Sequence, residues 1–204
     1  MNFFTADSHF NHDSIIRHCD RPFRNVEEMN HTLMINWNLK VHRGDTIYVI
    51  GDFVWEGFGE IIPKLNGEIH LVPGGHDRRL LQFLKKNPGV SNRDWQSRLI
   101  IHPEILERSF PIGGADEKVR IVMCHYAMRV WPCSHYNSWH LFGHSHGRLP
   151  RQGKSFDVGV DAHNFFPLNF DEVADMMNHQ PNNYDLVVKG EHHAGSRAPC
   201  GRVD

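Results

Sequence analysis

Apolar positions along the chain follow two different spacings. In residues 26–41, VEEMNHTLMINWNLKV, the residues Val26, Met29, Leu33, Trp37 and Val41 recur at three- to four-residue intervals, as on one face of a helix. In residues 46–50, TIYVI, an apolar and β-branched run follows the Gly44-Asp45 turn and predicts a buried strand. EIHLV (68–72) and KVRIVMCHY (118–126) predict further strands, as does the shorter NFFTA (2–6). FGEIIPKL (58–65) predicts a short helix weakened by Pro63. DRRLLQFLKK (77–86) predicts a helix closed by Asn87-Pro88-Gly89. SRLIIH (97–102) and EILERSF (104–110) read as strands, with PIGGADE (111–117) as the hairpin turn that leads into 118–126. WHLFGHSHG (139–147) is a short strand running into a loop, and KSFDVGVDA (154–162) is another strand. NFDEVADMMNHQ (169–180) predicts a helix with Asn169 at its N-cap and acidic residues in its first turn.

Strand and helix alternate in the first half, and strands dominate the second. With no internal repeat and no low-complexity linker, this order predicts one α/β layered domain over 1–180. From Pro181 to residue 204 the chain is polar and unpatterned, and a loose tail is expected.

Composition narrows the function classes. A length of 204 residues suits one domain. The net charge of -2 provides no bulk attraction to nucleic acid or to an anionic membrane. Nucleic acid is therefore allowed as a partner but not indicated. No apolar run reaches the about 18 residues of a membrane span, and MNFFTADSHF lacks the basic start and apolar core of a signal peptide. Cys19, Cys124, Cys133 and Cys200 are scattered with no CxxC pair, so reduced thiols in a cytoplasm are expected. The outlier is histidine, with 17 residues, which directs attention to metal sites. His179, His192 and His193, in or beside the polar tail, read as solvated.

Five segments share one context, an apolar strand followed by a polar cluster. They are Asp7-Ser8-His9, Gly51-Asp52, Gly74-Gly75-His76-Asp77, His125, and Gly143-His144-Ser145-His146. Strand ends on one edge of a sheet are where α/β proteins assemble sites from distant parts of the chain. Carboxylate and imidazole donors suit Mn, Fe or Zn. Asp52 could bridge two ions with its two oxygens, and His144 and His146 are spaced to reach neighbouring positions. Two ions about 3.5–4 Å apart can activate a water and neutralise a phosphoryl group together.

The series D-x-H, G-D, G-N-H-[DE], H, G-H-x-H is that of the calcineurin-like metallophosphoesterases, and this chain resembles a small bacterial or phage-type member. HFNHDSIIRHCDRPF and DVGVDAHNFFP also resemble that subgroup, so the likeness covers roughly residues 1 to 175. Each motif alone is weak; five in order, each after a strand, are specific. The resemblance implies a four-layer α-β-β-α sandwich and two divalent ions, manganese favoured over iron or zinc. Asp7, His9 and His146 would hold one ion. Asp52 would bridge, and His125 and His144 would hold the second together with an asparagine. His76 would act near the leaving group, as a general acid or phosphate contact. The implied reaction is hydrolysis of a small or nucleotide-type phosphomonoester or phosphodiester by a metal-bound hydroxide.

One position breaks the pattern. Where the family has asparagine, this chain has Gly75, which carries no side-chain oxygen. A weaker or partly occupied second metal site is expected, and the alternative is a catalytically impaired metal-binding scaffold or binding protein. His12 and Arg78 are candidate phosphate contacts beside the motifs, whereas Arg148 reads as a solvated charge. Trp131, Tyr136 and Trp139 could stack on a base or aryl group, but packing is the simpler role. Cys124, beside His125 on a buried strand, reads as core. Other hydrolases fit worse. The HD-type phosphohydrolases carry their His-Asp pair on helices. The metallo-β-lactamase pattern fails because Gly147 and Arg148 follow His146, and a P-loop is absent.

Overall fold

The computed structural model describes residues 1–87, 94–113 and 117–182. Parts of the expected turns at 87–89 and 111–117, and the expected tail from 183 on, lie outside the described residues. Two sheets organise the fold. The first contains β1 (Asn2–Thr5), β2 (Thr46–Ile50), β3 (Glu68–Val72), β4 (Leu99–Ile101) and β9 (Leu168–Asn169), in the order β4-β3-β2-β1-β9. Strands β1 to β4 run parallel, and the two-residue β9 lies antiparallel to β1. The second contains β5 (Ile105–Pro111), β6 (Lys118–Cys124), β7 (Trp139–Phe142) and β8 (Ser155–Asp157), in that order. There β5 and β6 form an antiparallel hairpin, while β6, β7 and β8 are parallel.

Period-two alternation decides which way each strand residue faces. Phe3, Ile47, Val49, Ile69 and Leu71 point into one cluster, shared with Met29, Leu33 and Trp37 of α2 (Val26–Lys40) and Leu80 of α4 (Arg78–Lys86). Phe4, Tyr48, Ile50 and Val72 point the opposite way. They meet Val119, Ile121, Met123, Trp139, Leu141 and Phe156 of the second sheet. The protein is thus a mixed α/β fold in which two sheets stack and helices cover the first. Burial of each large α2 side chain contributes about 1.5–3 kcal/mol.

Helix starts follow their caps. Asn25 accepts from the Glu28 amide at 2.9 Å to begin α2, and Asn169 accepts from the Glu172 amide at 2.8 Å to begin α6 (Phe170–Asn178). The helix expected at 58–65 is a four-residue α3 (Phe58–Ile61), followed by a 3-10 turn, Ile62–Lys64, that holds Pro63. Two short helices, α1 (Asp13–His18) and α5 (Asp94–Ser97), lie where the periodicity predicts none. The strand expected over 154–162 shortens to β8, because Val160–Ala162 form a 3-10 turn. On the side of the second sheet that carries His140, the segment 126–138 supplies Trp131, whose ring lies 5.3 Å from the imidazole. Helix α6 packs Val173, Ala174 and Met177 into the cluster between the sheets.

Cys19 and Cys124 are free thiols, but Cys133 is disulfide-bonded. This departs from the expectation of reduced thiols throughout, which rested on spacing along the chain and not on proximity in the fold. Among the described residues, no helix is long and apolar enough to cross a membrane.

Candidate metal centre

The parallel strands bring their C-terminal ends to one edge, and all five motif clusters leave from there. Asp7 follows β1, Asp52 follows β2, and the 3-10 turn Gly75–Asp77 follows β3. His125 directly follows β6, and His144 follows β7. Backbone bonds stitch the clusters together: the Asp7 amide donates to the Gly51 carbonyl and the His9 amide to the Asp52 carbonyl, each at 3.0 Å.

The local backbone is strained at these residues. Asp7 (φ 56), His9 (φ 50), Asp52 (φ 54), His144 (φ 67) and His146 (φ 48) all lie in the left-handed region. Such conformations cost about 1–3 kcal/mol each for residues with a Cβ and concentrate where a site dictates geometry. Gly74 has a different reason. A Cβ there would stand 2.5 Å from Asp52 Oδ1, so any side chain would displace the carboxylate.

The donor atoms fall into two groups. Asp7, His9 and His146 form one, and Asp52, His125 and His144 the other, with ligand-type atoms within 4.8 Å of one another in each. Cys19, His146 and Asp161 lie equally close, but there the Asp161 carboxylate is already engaged by Arg21 and the His146 ring. Asp52 joins the two main groups through one oxygen. Its Oδ1 accepts the His76 amide at 2.9 Å, while Oδ2 faces His9 Nε2 at 3.5 Å and His125 Nε2 at 3.3 Å. Asp52 Oδ1, expected to serve one of two ions, also receives an amide of the 74–77 turn, and its second lone pair stays open. Among the described residues, Asp7 Oδ1, His9 Nε2 and His125 Nε2 are buried and have no hydrogen-bond partner. Unpartnered buried donors and acceptors are costly. A pair of divalent cations is a group that satisfies all three, so the residues fit such ions.

Side chains behind the donors set their orientation. His125 Nδ1 donates to the Ile50 carbonyl at 2.9 Å, which leaves Nε2 facing Asp52. His146 Nδ1 bonds Asp161 Oδ2 at 2.7 Å. Asp161 is gripped by Arg21 through Nε and Nη2, both at 2.8 Å, and Arg21 also donates to the Asp7 carbonyl at 2.6 Å and the Ser8 carbonyl at 3.1 Å. Asp77 accepts from the amides of Asp52 (2.8 Å), Phe53 (2.9 Å) and Gly74 (2.7 Å). Sequence reasoning missed Arg21 and Asp161 and gave Asp77 no role. The available signal was their place within HFNHDSIIRHCDRPF, DVGVDAHNFFP and the 74–77 motif, because burial of a charge is not written in the local pattern.

Electrostatics follow burial and charge. Burial lifts the Asp7 carboxyl to about 7, opposed by His125 and His146 and aided by Asp157 and Asp52. Burial also raises Asp52, but the His125 ring 3.3 Å away, with the His76 amide and the charge of His9, holds it well below the usual carboxylate range. Burial lowers His125, but the adjacent Asp52 carboxylate and the charge of Asp7 outweigh this, raising it to about 9. Burial keeps His9 far below an ordinary imidazole despite Asp52. His144 is lowered by burial and by His125. A bound cation favours the neutral imidazoles and ionised carboxylates that ligation requires.

The remaining candidates line the rim or lie away from it. His76 is half exposed, with Nε2 3.9 Å from Asp52 Oδ2. His12 is at the site, but its Nδ1 meets His9 Nδ1 at 3.1 Å and its Nε2 meets Ser14 Oγ at 3.0 Å. Its ring lies parallel to Trp55 at 4.3 Å, and Arg79 covers the Trp55 ring at 4.2 Å. Arg79 is thus the cation stacked on this rim, while Arg78, also exposed, makes no hydrogen bond or ion pair among the described residues. Arg148 is a surface side chain that donates to the His18 carbonyl at 2.8 Å. Trp131, Trp139 and Cys124 are buried, and Tyr136 stands beside His135 rather than at the centre.

No family model matches the chain. An uncharacterized protein of Methanocaldococcus jannaschii is 28% identical over 187 residues, which span 86% of this chain and 90% of that protein. Among solved structures, a protein of unknown function from Aquifex aeolicus superposes with a TM-score of 0.59 at 20% identity, covering 86% of this chain and 98% of the other. At that identity the likeness shows a shared fold.

Proposed function

We propose that the protein is a metal-dependent phosphoesterase of the calcineurin-like kind, with a dinuclear centre at Asp7, His9, Asp52, His125, His144 and His146. The observation that carries this reading is the set of three buried atoms without a partner among the described residues, Asp7 Oδ1, His9 Nε2 and His125 Nε2, the two imidazoles facing Asp52 Oδ2. The stacked sheets are compatible with the family's sandwich. Two divalent ions, manganese favoured, would supply a more acidic water and neutralise charge on a phosphoryl group.

The chain's own residues do the rest. His76, on the open side of Asp52, holds or delivers a proton at the leaving oxygen. His12 steadies His9 through the paired Nδ1 atoms. The half-exposed rim admits small or nucleotide-type phosphoesters. Gly75 leaves the Asp52–His125–His144 group one donor short of the family pattern, so that ion is held more weakly. Because of Gly75, a second reading stands beside the first: an impaired scaffold that binds metal without turnover.

Metal content and hydrolysis of bis(p-nitrophenyl) and mono(p-nitrophenyl) phosphate, with Mn²⁺ added, separate the two. Turnover that requires metal is expected. Two bound ions with no turnover on either ester favour the scaffold, and failure to bind metal overturns both. Gly75→Asn should raise occupancy of the second site; no gain in metal content or turnover removes the claim that this site is weakened.

A further inference from the structure

Gly75 has a neighbour that gives its missing side chain a meaning. A Cβ built at position 75 would lie 3.1 Å from the Tyr126 hydroxyl oxygen and, among the described residues, within 4 Å of nothing else outside its own turn. Gly75 is not among the glycines with positive φ, so its backbone does not demand glycine. What glycine provides here is space, and the phenol borders it.

The placement of Tyr126 is specific. Its ring stands edge-on to His125 at 5.0 Å and to His144 at 4.9 Å, the two imidazoles of the Asp52 group. The residue is 49% exposed, so packing does not account for it. Among the described residues its hydroxyl makes no hydrogen bond. A phenolic O–H can donate to an anionic oxygen, and such a bond is stronger than one between neutral groups.

We propose that Tyr126 is a substrate-contacting residue whose hydroxyl donates to a non-bridging phosphoester oxygen on the Asp52–His125–His144 side, next to the space that an asparagine at position 75 would take. The identity of that oxygen rests on the phosphoesterase reading. The contact also gives Gly75 a purpose, since a larger residue there crowds the phenol.

The test uses the full chain loaded with Mn²⁺ and inorganic phosphate as the probe, measured by titration calorimetry. Tyr126→Phe keeps the ring against both imidazoles and removes only the hydroxyl. Phosphate should bind about tenfold more weakly, the worth of one hydrogen bond to a charged group, with Mn²⁺ content unchanged. KM for bis(p-nitrophenyl) phosphate should rise in parallel. Gly75→Ala, which adds a methyl but no donor, should weaken phosphate binding in the wild-type background and leave it unchanged in the Tyr126→Phe background. Equal phosphate affinity with and without the hydroxyl overturns the assignment, as does absence of phosphate binding by the wild type or loss of Mn²⁺ in Tyr126→Phe. A wild type that binds phosphate through Tyr126 but hydrolyses neither ester keeps the assignment and overturns the hydrolytic reading.

Discussion

Asp77 is buried at the end of a turn and serves three backbone amides rather than a substrate. Its oxygens hold Asp52, Phe53 and Gly74 at 2.7 to 2.9 Å, and the Asp52 amide is the attachment point of the shared carboxylate. Asp77→Ala would leave these three donors unsatisfied. The expected loss is about 3 kcal/mol or more, since each orphaned buried group costs about 1–3 kcal/mol. Urea denaturation reads the stability, and Mn²⁺ titration reads the site. Unchanged values in both would show that the turn holds itself. The adjacent His76 was legible as a candidate from its motif, whereas Asp77's inward aim was not. Both side chains are polar neighbours in the chain, and only packing turns one to the rim and the other under Asp52.

At the scale of an element, β7 carries a histidine that is not part of the centre. His140 donates from Nδ1 to the Val122 carbonyl at 3.0 Å and accepts the Met128 amide on Nε2 at 3.0 Å. Accepting on Nε2 needs the neutral ring. Burial pushes its pKa down from 6.5 to about 4, against the backbone of Val122 and Tyr126. A folded value below the unfolded one means that this stability is present above the unfolded pKa. It is lost as pH falls toward the folded value, to an extent of about 3 kcal/mol. His140→Gln should therefore flatten the fall in urea midpoint between about pH 7 and pH 4. An equally steep fall in the variant would assign the acid sensitivity to other groups. The strand itself was legible from WHLF. The pairing of this ring with β6 was not, because it depends on the parallel register of His140 with Val122.

At the scale of the whole molecule, the candidate centre lies at the edge where strands of both sheets end. Asp7, His9 and Asp52 follow strands of the first, and His125, His144 and His146 follow strands of the second. Ions held by both would tie the sheets together and stabilise the native state by linkage, by about 2.7 kcal/mol at a hundredfold excess over Kd. For a domain of this size that corresponds to a rise of about 5–10 °C in Tm. Calorimetry after chelation and after Mn²⁺ addition should show this rise, and Asp52→Asn should lose most of it. Identical melting with and without Mn²⁺ would remove the metal from the account of this fold.

Residue order alone was enough for the helix of 26–40, the buried strands and the chemical type of each strand-end cluster, because apolar period and residue chemistry are local properties. It was also enough to show that position 75 offers no side-chain donor atom. What faces what came from the packed fold: Asp52 joining two donor groups through Oδ2, Arg21 and Asp161 orienting His146, and Arg79 rather than Arg78 stacked over Trp55. The same packing set the Tyr126 phenol 3.1 Å from where a side chain at position 75 would begin. These relations join residues far apart in the chain, and they arise only when two sheets stack in one register. No local spacing encodes that distance.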